Sequence, residues 1–118
     1  MITRFDHAVI AVRDLDAAVA TYQRLGFAVA AGGRHVGLGT HNALVRFGLD
    51  YLELLAVYDE PLATGSGTIR AAFVDFLSRH QGGLIGYAVA TADIEADAAR
   101  FGQTGLAAVG PFAMRRER

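Results

Sequence analysis

Two periods of apolar residues alternate along the chain. The segment "FDHAVIAV" is a run of apolar and β-branched residues of strand length, and "RDLDAAVATYQRLGF" then switches to helical spacing. In that second piece Leu15, Val19 and Tyr22 recur on one face, Asp14 stands where an N-cap belongs, and Gly26 stands where a helix stops. "FAVAA", "ALVRF" and "YLELLAV" read as three further strands, the last entered through a turn at Gly48 to Asp50. The glycine-rich "GGRHVGLGTHN" between the second and third strands reads as a loop. The unit is therefore βαβββ. "YDEPLATGSG" then reads as a loop, and "TIRAAFVDFLSRH" as an amphipathic helix with Ile69, Ala72, Phe73 and Phe76 on one face, ended by Gly82 and Gly83.

After that helix the pattern restarts. Laying "HAVIAVRDLDAAVATYQRLGF" over "GYAVATADIEADAARFGQTGL" without a gap puts Asp14 on Asp93, Leu15 on Ile94, Tyr22 on Phe101 and Gly26 on Gly105. Cap, apolar stripe and stop coincide together, which predicts a second βαβββ unit starting near Gly83, with its last two strands falling beyond Arg118. The expected class is α+β, in one domain over 1–118: a first module at 1–57, a connecting loop and helix at 58–83, and an incomplete second module at 84–118.

Composition narrows the possibilities. With 118 residues, 53% hydrophobic and 19% charged, the chain suits one small globular unit. No apolar run reaches the roughly 18 residues of a membrane span, and "MITRFDHAVI" has no signal-peptide pattern, so a cytoplasmic protein is expected. A formal net charge of -1 leaves no basic footprint for nucleic acid. The cysteine count of zero removes thiolate sites, and the absence of lysine removes Schiff-base chemistry and Walker-type phosphate loops.

Candidate chemistry begins with Glu53, set among Leu52, Leu54 and Leu55, because a carboxylate taken out of water needs a cation, donors or a raised pKa. A salt bridge to Arg4, Arg34 or Arg46 would satisfy it without any function. His7 on the first strand has an equally plain reading, as a partly buried ring bonded to backbone groups. In the glycine-rich stretch, His35, Thr40, His41 and Asn42 supply donors and acceptors where backbone can approach a ligand closely. His35 and His41 could chelate a metal between them, although no acid lies nearby in sequence. Ser66 and Ser78 lie in no nucleophile elbow. Asp14 and Asp93 are explained as caps, Asp16 and Glu95 as first-turn acids, and Phe73, Phe76 and Phe101 as core.

Taken together, "DHAVIAVRDLDAAVATYQRLGF", "GGRHVGLGTHNALV", "YLELLAV" and "GLIGYAVATADIEADAARF" resemble the glyoxalase-like domain family of the vicinal oxygen chelate superfamily. The resemblance implies paired βαβββ modules whose curled sheets enclose a cavity, commonly with a divalent metal held by the first and last strands of each module. His7 and Glu53 match the first module's ligand pair, suited to Zn, Fe, Mn, Co or Ni. Gly86 stands where His7 has its counterpart and the match to Glu53 falls beyond Arg118, so weak or absent metal binding is expected unless another chain contributes; the family pattern continues past that point, which implies a truncated gene or a fragment. "RRER" reads as a solvated tail, although the family pattern places that stretch beside the cavity. Three functions follow as expectations. One is a metal-assisted lyase, isomerase or dioxygenase acting on a small oxygen-rich substrate, with Glu53 catalytic. Another is a metal-free binder of an apolar or aromatic small molecule, with Glu53 and the glycine-rich stretch, His35, Thr40 and Asn42 among it, fixing the orientation. The last is an inactive partial domain that forms a homodimer through its open sheet edges.

Overall fold

The computed structural model describes residues 1–113 and 116–117. In chain order the elements are β1 (Ile2–Val12), α1 (Leu15–Arg24), β2 (Val29–His35), β3 (Thr40–Phe47), β4 (Asp50–Val57), α2 (Glu60–Gly65), α3 (Thr68–Arg79), β5 (Gly82–Thr91), α4 (Ile94–Gln103) and β6 (Arg116–Glu117). The class is α+β, and the strand-then-helix start of the chain recurs in β5 and α4. Both repeats are capped alike: Asp14 accepts a hydrogen bond from the Ala17 amide and Asp93 from the Ala96 amide.

The strands form one sheet in the order β5-β1-β4-β3-β2-β6. β1 runs parallel to β4, whereas β5 and β3 are antiparallel to their neighbours β1 and β4. Because side chains alternate across a strand, Ile10, Leu52, Leu54, Ala43 and Val45 share one face. There Leu15, Ala18, Val19 and Tyr22 of α1 pack against a core of Ala43, Val45 and Leu54. The helical stripe read from sequence is thus the surface that covers the sheet. The opposite face carries His7, Val9, Glu53, Leu55, Thr40 and Asn42 by the same alternation.

Three sequence expectations change. The glycine-rich stretch is no extended loop: β2 runs through Gly32, Gly33, Arg34 and His35, β3 begins at Thr40, and the turn is confined to residues 36–39. Two glycines of this stretch, one in β2 and one in the turn, stand where the backbone is crowded. A Cβ on Gly32 would lie 1.9 Å from Asn42 Oδ1, and one on Gly39 would lie 2.5 Å from the Asp59 carbonyl. The segment 58–67 contains α2, whose N-cap Asp59 accepts from the Leu62 amide and whose Pro61 occupies the first turn, a start signal too short to show periodicity. Phe101 is not core: it is 37% exposed, and Ile94, on the same apolar stripe of α4, is exposed as well. Phe73 is buried and Phe76 half-buried, as expected.

The tail "RRER" is also more than a solvated end. Backbone of Arg116 and Glu117 pairs with His35 and Arg34 at the β2 edge, whereas Arg115 and Arg118 lie outside the described residues. Among the described residues no helix is long and apolar enough to cross a membrane.

Candidate functional site

Parallel pairing of β1 with β4 sets the site. His7 is opposite Tyr51 and Val9 opposite Glu53, so His7 and Glu53 occupy the same face, one pleat apart on neighbouring strands. The His7 ring stacks on Tyr51 with centroids 4.5 Å apart and planes inclined by 9°. In that orientation Nε2 lies 3.3 Å from Glu53 Oε1. Both side chains are largely buried, at 16% and 12% exposure. Nδ1 of His7 faces Asp6 Oδ2 at 2.7 Å. The hydrogen bond with His7, aided by the neighbouring Arg4 guanidinium and opposed by burial, holds the Asp6 carboxyl below the usual carboxylate range.

Glu53 is held from its other side by β3 and β2. The Asn42 amide donates from Nδ2 to Glu53 Oε2 at 2.6 Å, and Asn42 Oδ1 accepts from the Gly33 amide at 3.1 Å. A carboxylate can only accept, so these two contacts fix which end of the Asn42 amide faces Glu53. His35 Nε2 lies 3.9 Å from Glu53 Oε2 and 3.4 Å from Asn42 Nδ2. Its Nδ1 is 2.7 Å from Thr40 Oγ1. Thr40, Asn42 and His35 are all buried, and each of these polar groups has a partner.

A cavity of about 690 Å³ opens above Glu53, His35 and Thr40. Its floor includes Val9 and Leu55, and α3 contributes Phe73, Phe76 and Arg70 to the wall, with Leu84 and Tyr87 of β5 opposite. Glu53 is the one carboxylate among the described residues that line it. A second depression of about 590 Å³ lies on the α1 side, lined by Leu15, Asp16, Val19, Arg34 and His41. The larger cavity is the one that meets the buried acid.

Of the residues read from sequence, His7, His35, Thr40, Asn42 and Glu53 come together, whereas His41 does not. One residue along β3 from Thr40, it turns to the α1 side, where its ring meets Tyr58 edge-on at 5.5 Å. Burial, then Arg34, pushes its pKa below the ordinary histidine value, and Asp16 opposes them. The His35–His41 chelate is thereby ruled out. None of the candidate arginines faces Glu53: Arg4 binds Asp6 and Asp50, Arg34 lies over Tyr58, and Arg46 lies over Tyr51. Sequence reasoning missed Asp6 and Tyr51. Tyr51 is signalled by its place two residues before Glu53; Asp6 is signalled by nothing periodic.

Two donors bound to one ion at about 2.1 Å each would stand roughly 3 Å apart, so the His7–Glu53 separation suits two corners of a coordination sphere. Among the described residues no group of three or more His, Cys, Asp or Glu side chains is arranged to hold a metal ion. The chain thus offers part of a sphere.

Comparison with known proteins adds the following. A family model described as a glyoxalase-like domain matches residues 5–118. Among solved structures, a variant of methylmalonyl-CoA epimerase from Streptomyces coelicolor in complex with 2-nitronate-propionyl-CoA is 31% identical, with 89% of this chain and 74% of that chain covered and a TM-score of 0.74. Methylmalonyl-CoA epimerase from Mycobacterium tuberculosis is 27% identical, with 88% and 65% covered and a TM-score of 0.71. A hypothetical protein from Staphylococcus aureus is 25% identical, with 97% of this chain but 46% of that chain covered and a TM-score of 0.80. No curated protein matches the sequence.

Proposed function

Because this chain belongs to the glyoxalase-like domain family, we propose that it serves a metal-assisted isomerase reaction on a small acid or thioester, with His7 and Glu53 as its share of the cation site. The observation that carries this reading is the 3.3 Å approach of His7 Nε2 to Glu53 Oε1 on the cavity face of the sheet. Likeness to epimerases that act on an acyl-CoA supports the choice of isomerase over dioxygenase. A divalent cation there would supply a Lewis acid toward substrate oxygens.

The chain's own residues do the rest. Glu53 is the only carboxylate presented to the cavity by the described residues, so proton removal from the carbon beside a carbonyl falls to the remaining lone pair of its Oε2, the oxygen not assigned to the cation. The electron pair of the broken C–H bond moves onto the carbonyl oxygen; a proton delivered from solvent to the opposite face of that carbon restores the carbonyl with inverted configuration, whereas return by Glu53 to the same face gives exchange alone. Asn42 holds Oε2 so that Oε1 is turned toward His7. His35 and Thr40, at the cavity floor, orient the substrate, and the apolar wall of Phe73, Phe76 and Leu84 excludes water. Calorimetry with Ni2+ or Zn2+ tests this: the parent binds, while His7→Ala and Glu53→Gln lose binding. Equal binding by either variant defeats the reading. Proton NMR in deuterated water, following exchange of the α-hydrogen of a 2-methyl acyl thioester, checks the chemistry.

The same mostly apolar wall favours a second reading, a metal-free binder of an apolar molecule, which predicts ligand-induced thermal stabilisation that chelator leaves unchanged. Either function is compatible with a homodimer. β5 is an edge strand with Leu84 and Tyr87 exposed, and light scattering that finds only monomer at micromolar concentration removes that element of the proposal.

A further inference from the structure

The geometry assigns Asp6 as a positioning residue that fixes the tautomer of His7, an inference that rests on the reading of His7 as a cation ligand. In a regular strand, consecutive side chains point to opposite faces, which would carry the Asp6 carboxylate to the α1 side of the sheet. β1 is not regular there. Phe5 pairs with Val89 and His7 with the very next residue, Ala88, so Asp6 is left unpaired at a shift of register. Such a bulge bends the strand and re-aims a side chain. Asp6 Oδ2 consequently lies in hydrogen-bonding contact with His7 Nδ1 at 2.7 Å.

The carboxylate is itself anchored. Arg4 Nη2 donates to Asp6 Oδ1 at 2.8 Å, and Arg4 Nη1 donates to Asp50 Oδ1 at 3.2 Å, tying β1 to the start of β4. Next to Asp50 is Tyr51, whose ring covers the imidazole. His7 is therefore restrained face-on by Tyr51 and in its plane by Asp6. Since a carboxylate only accepts, the single proton of a neutral imidazole goes to whichever acid makes the better bond. Asp6 is at 2.7 Å and Glu53 at 3.3 Å, and Glu53 already accepts from Asn42. The proton sits on Nδ1, and Nε2 presents its lone pair toward Glu53 and the cavity. Neutral histidine in water favours the opposite tautomer, so this arrangement is imposed by the protein. A carboxylate behind a ligating histidine raises the ligand's basicity and fixes its direction.

Long-range proton–nitrogen NMR on 15N-labelled protein, at a pH where histidine is neutral, tests the tautomer directly, with the His7 signals assigned by their loss in His7→Ala. The parent is expected to show a protonated Nδ1 and a bare Nε2. Asp6→Ala shifts His7 to mostly protonated Nε2, and Asp6→Asn, which keeps an acceptor oxygen, retains most of the parent pattern. A parent spectrum with Nε2 protonated overturns the inference even if Asp6→Ala fails to fold, and so does an unchanged pattern in folded Asp6→Ala. Calorimetry with Ni2+ separates the two layers: Asp6→Ala weakens binding by about 10- to 100-fold with Asp6→Asn between, and equal affinity of Asp6→Ala and parent again overturns it. Absence of Ni2+ binding by the parent defeats the proposed function, while the spectra still decide the role of Asp6.

Discussion

At the scale of single residues, the site depends on how one buried amide is held. Asn42 is 3% exposed and divides its bonds between the Glu53 carboxylate and the Gly33 amide. Truncating it to alanine strands both partners, one of them charged, and the expected loss is about 1.5–3 kcal/mol in urea denaturation. Gly32 matters through the same amide, because an added methyl group would collide with Asn42 Oδ1 at 1.9 Å and with its carbonyl at 2.5 Å. Gly32→Ala should therefore destabilise by about 1–3 kcal/mol. In the double variant part of that loss should disappear, since the Oδ1 collision is gone while the backbone collision remains. Strict additivity would show that the two residues are not coupled as described.

At the scale of elements, helices with a cap and a stripe are self-announcing. Asp14 and Asp93 each bond the amide three residues on, and alanine at Asp14 should cost about 1 kcal/mol of global stability. A thermal melt unchanged by Asp14→Ala would contradict that assignment. The same legibility covers the order of strands β1 to β4, because their apolar runs have strand length and β-branched content. It fails at β2 and the start of β3, where Gly32, Gly33 and Gly39 read as loop chemistry. Gly32 and Gly39 are there because other chain segments come within contact of their backbone, which sequence period cannot express. The site was legible to a similar depth. His7 and Glu53 stood out by family pattern and by an acid among leucines, but their joining to His35 and Asn42 needs the antiparallel register of β2, β3 and β4. Asp6 is hidden altogether, since a period-two reading puts it on the wrong face and only the bulge returns it.

At the scale of the whole molecule, β5 of the second repeat is held by its pairing with β1, but the helix α4 that follows it is fastened less by apolar packing than by one carboxylate. Ile94 and Phe101 of α4 are 58% and 37% exposed, whereas Asp97 is 3% exposed. Asp97 accepts from the Thr91 hydroxyl at the end of β5, pairs with Arg100 on its own helix, and meets the Met1 ammonium group at 3.0 Å. It thus ties α4 to β5 and to the entry of β1. The Thr91 hydrogen bond foremost, with the N-terminal ammonium next, holds the Asp97 carboxyl below its ordinary range against the opposing effect of burial. A carboxyl lowered on folding contributes stability that is complete above its unfolded value near 4 and drains away as pH falls through the folded one. Amide hydrogen exchange across residues 94–103 should accordingly lose protection on acidification before β3 and β4 do, since the core of Ala43, Val45 and Leu54 contains no titrating group. Asp97→Asn should show weakened protection of α4 already at neutral pH, with little further change on acidification. Simultaneous loss of α4 and the β3–β4 core at every pH would mean that α4 opens together with the rest of the molecule and that Asp97 is not what fastens it.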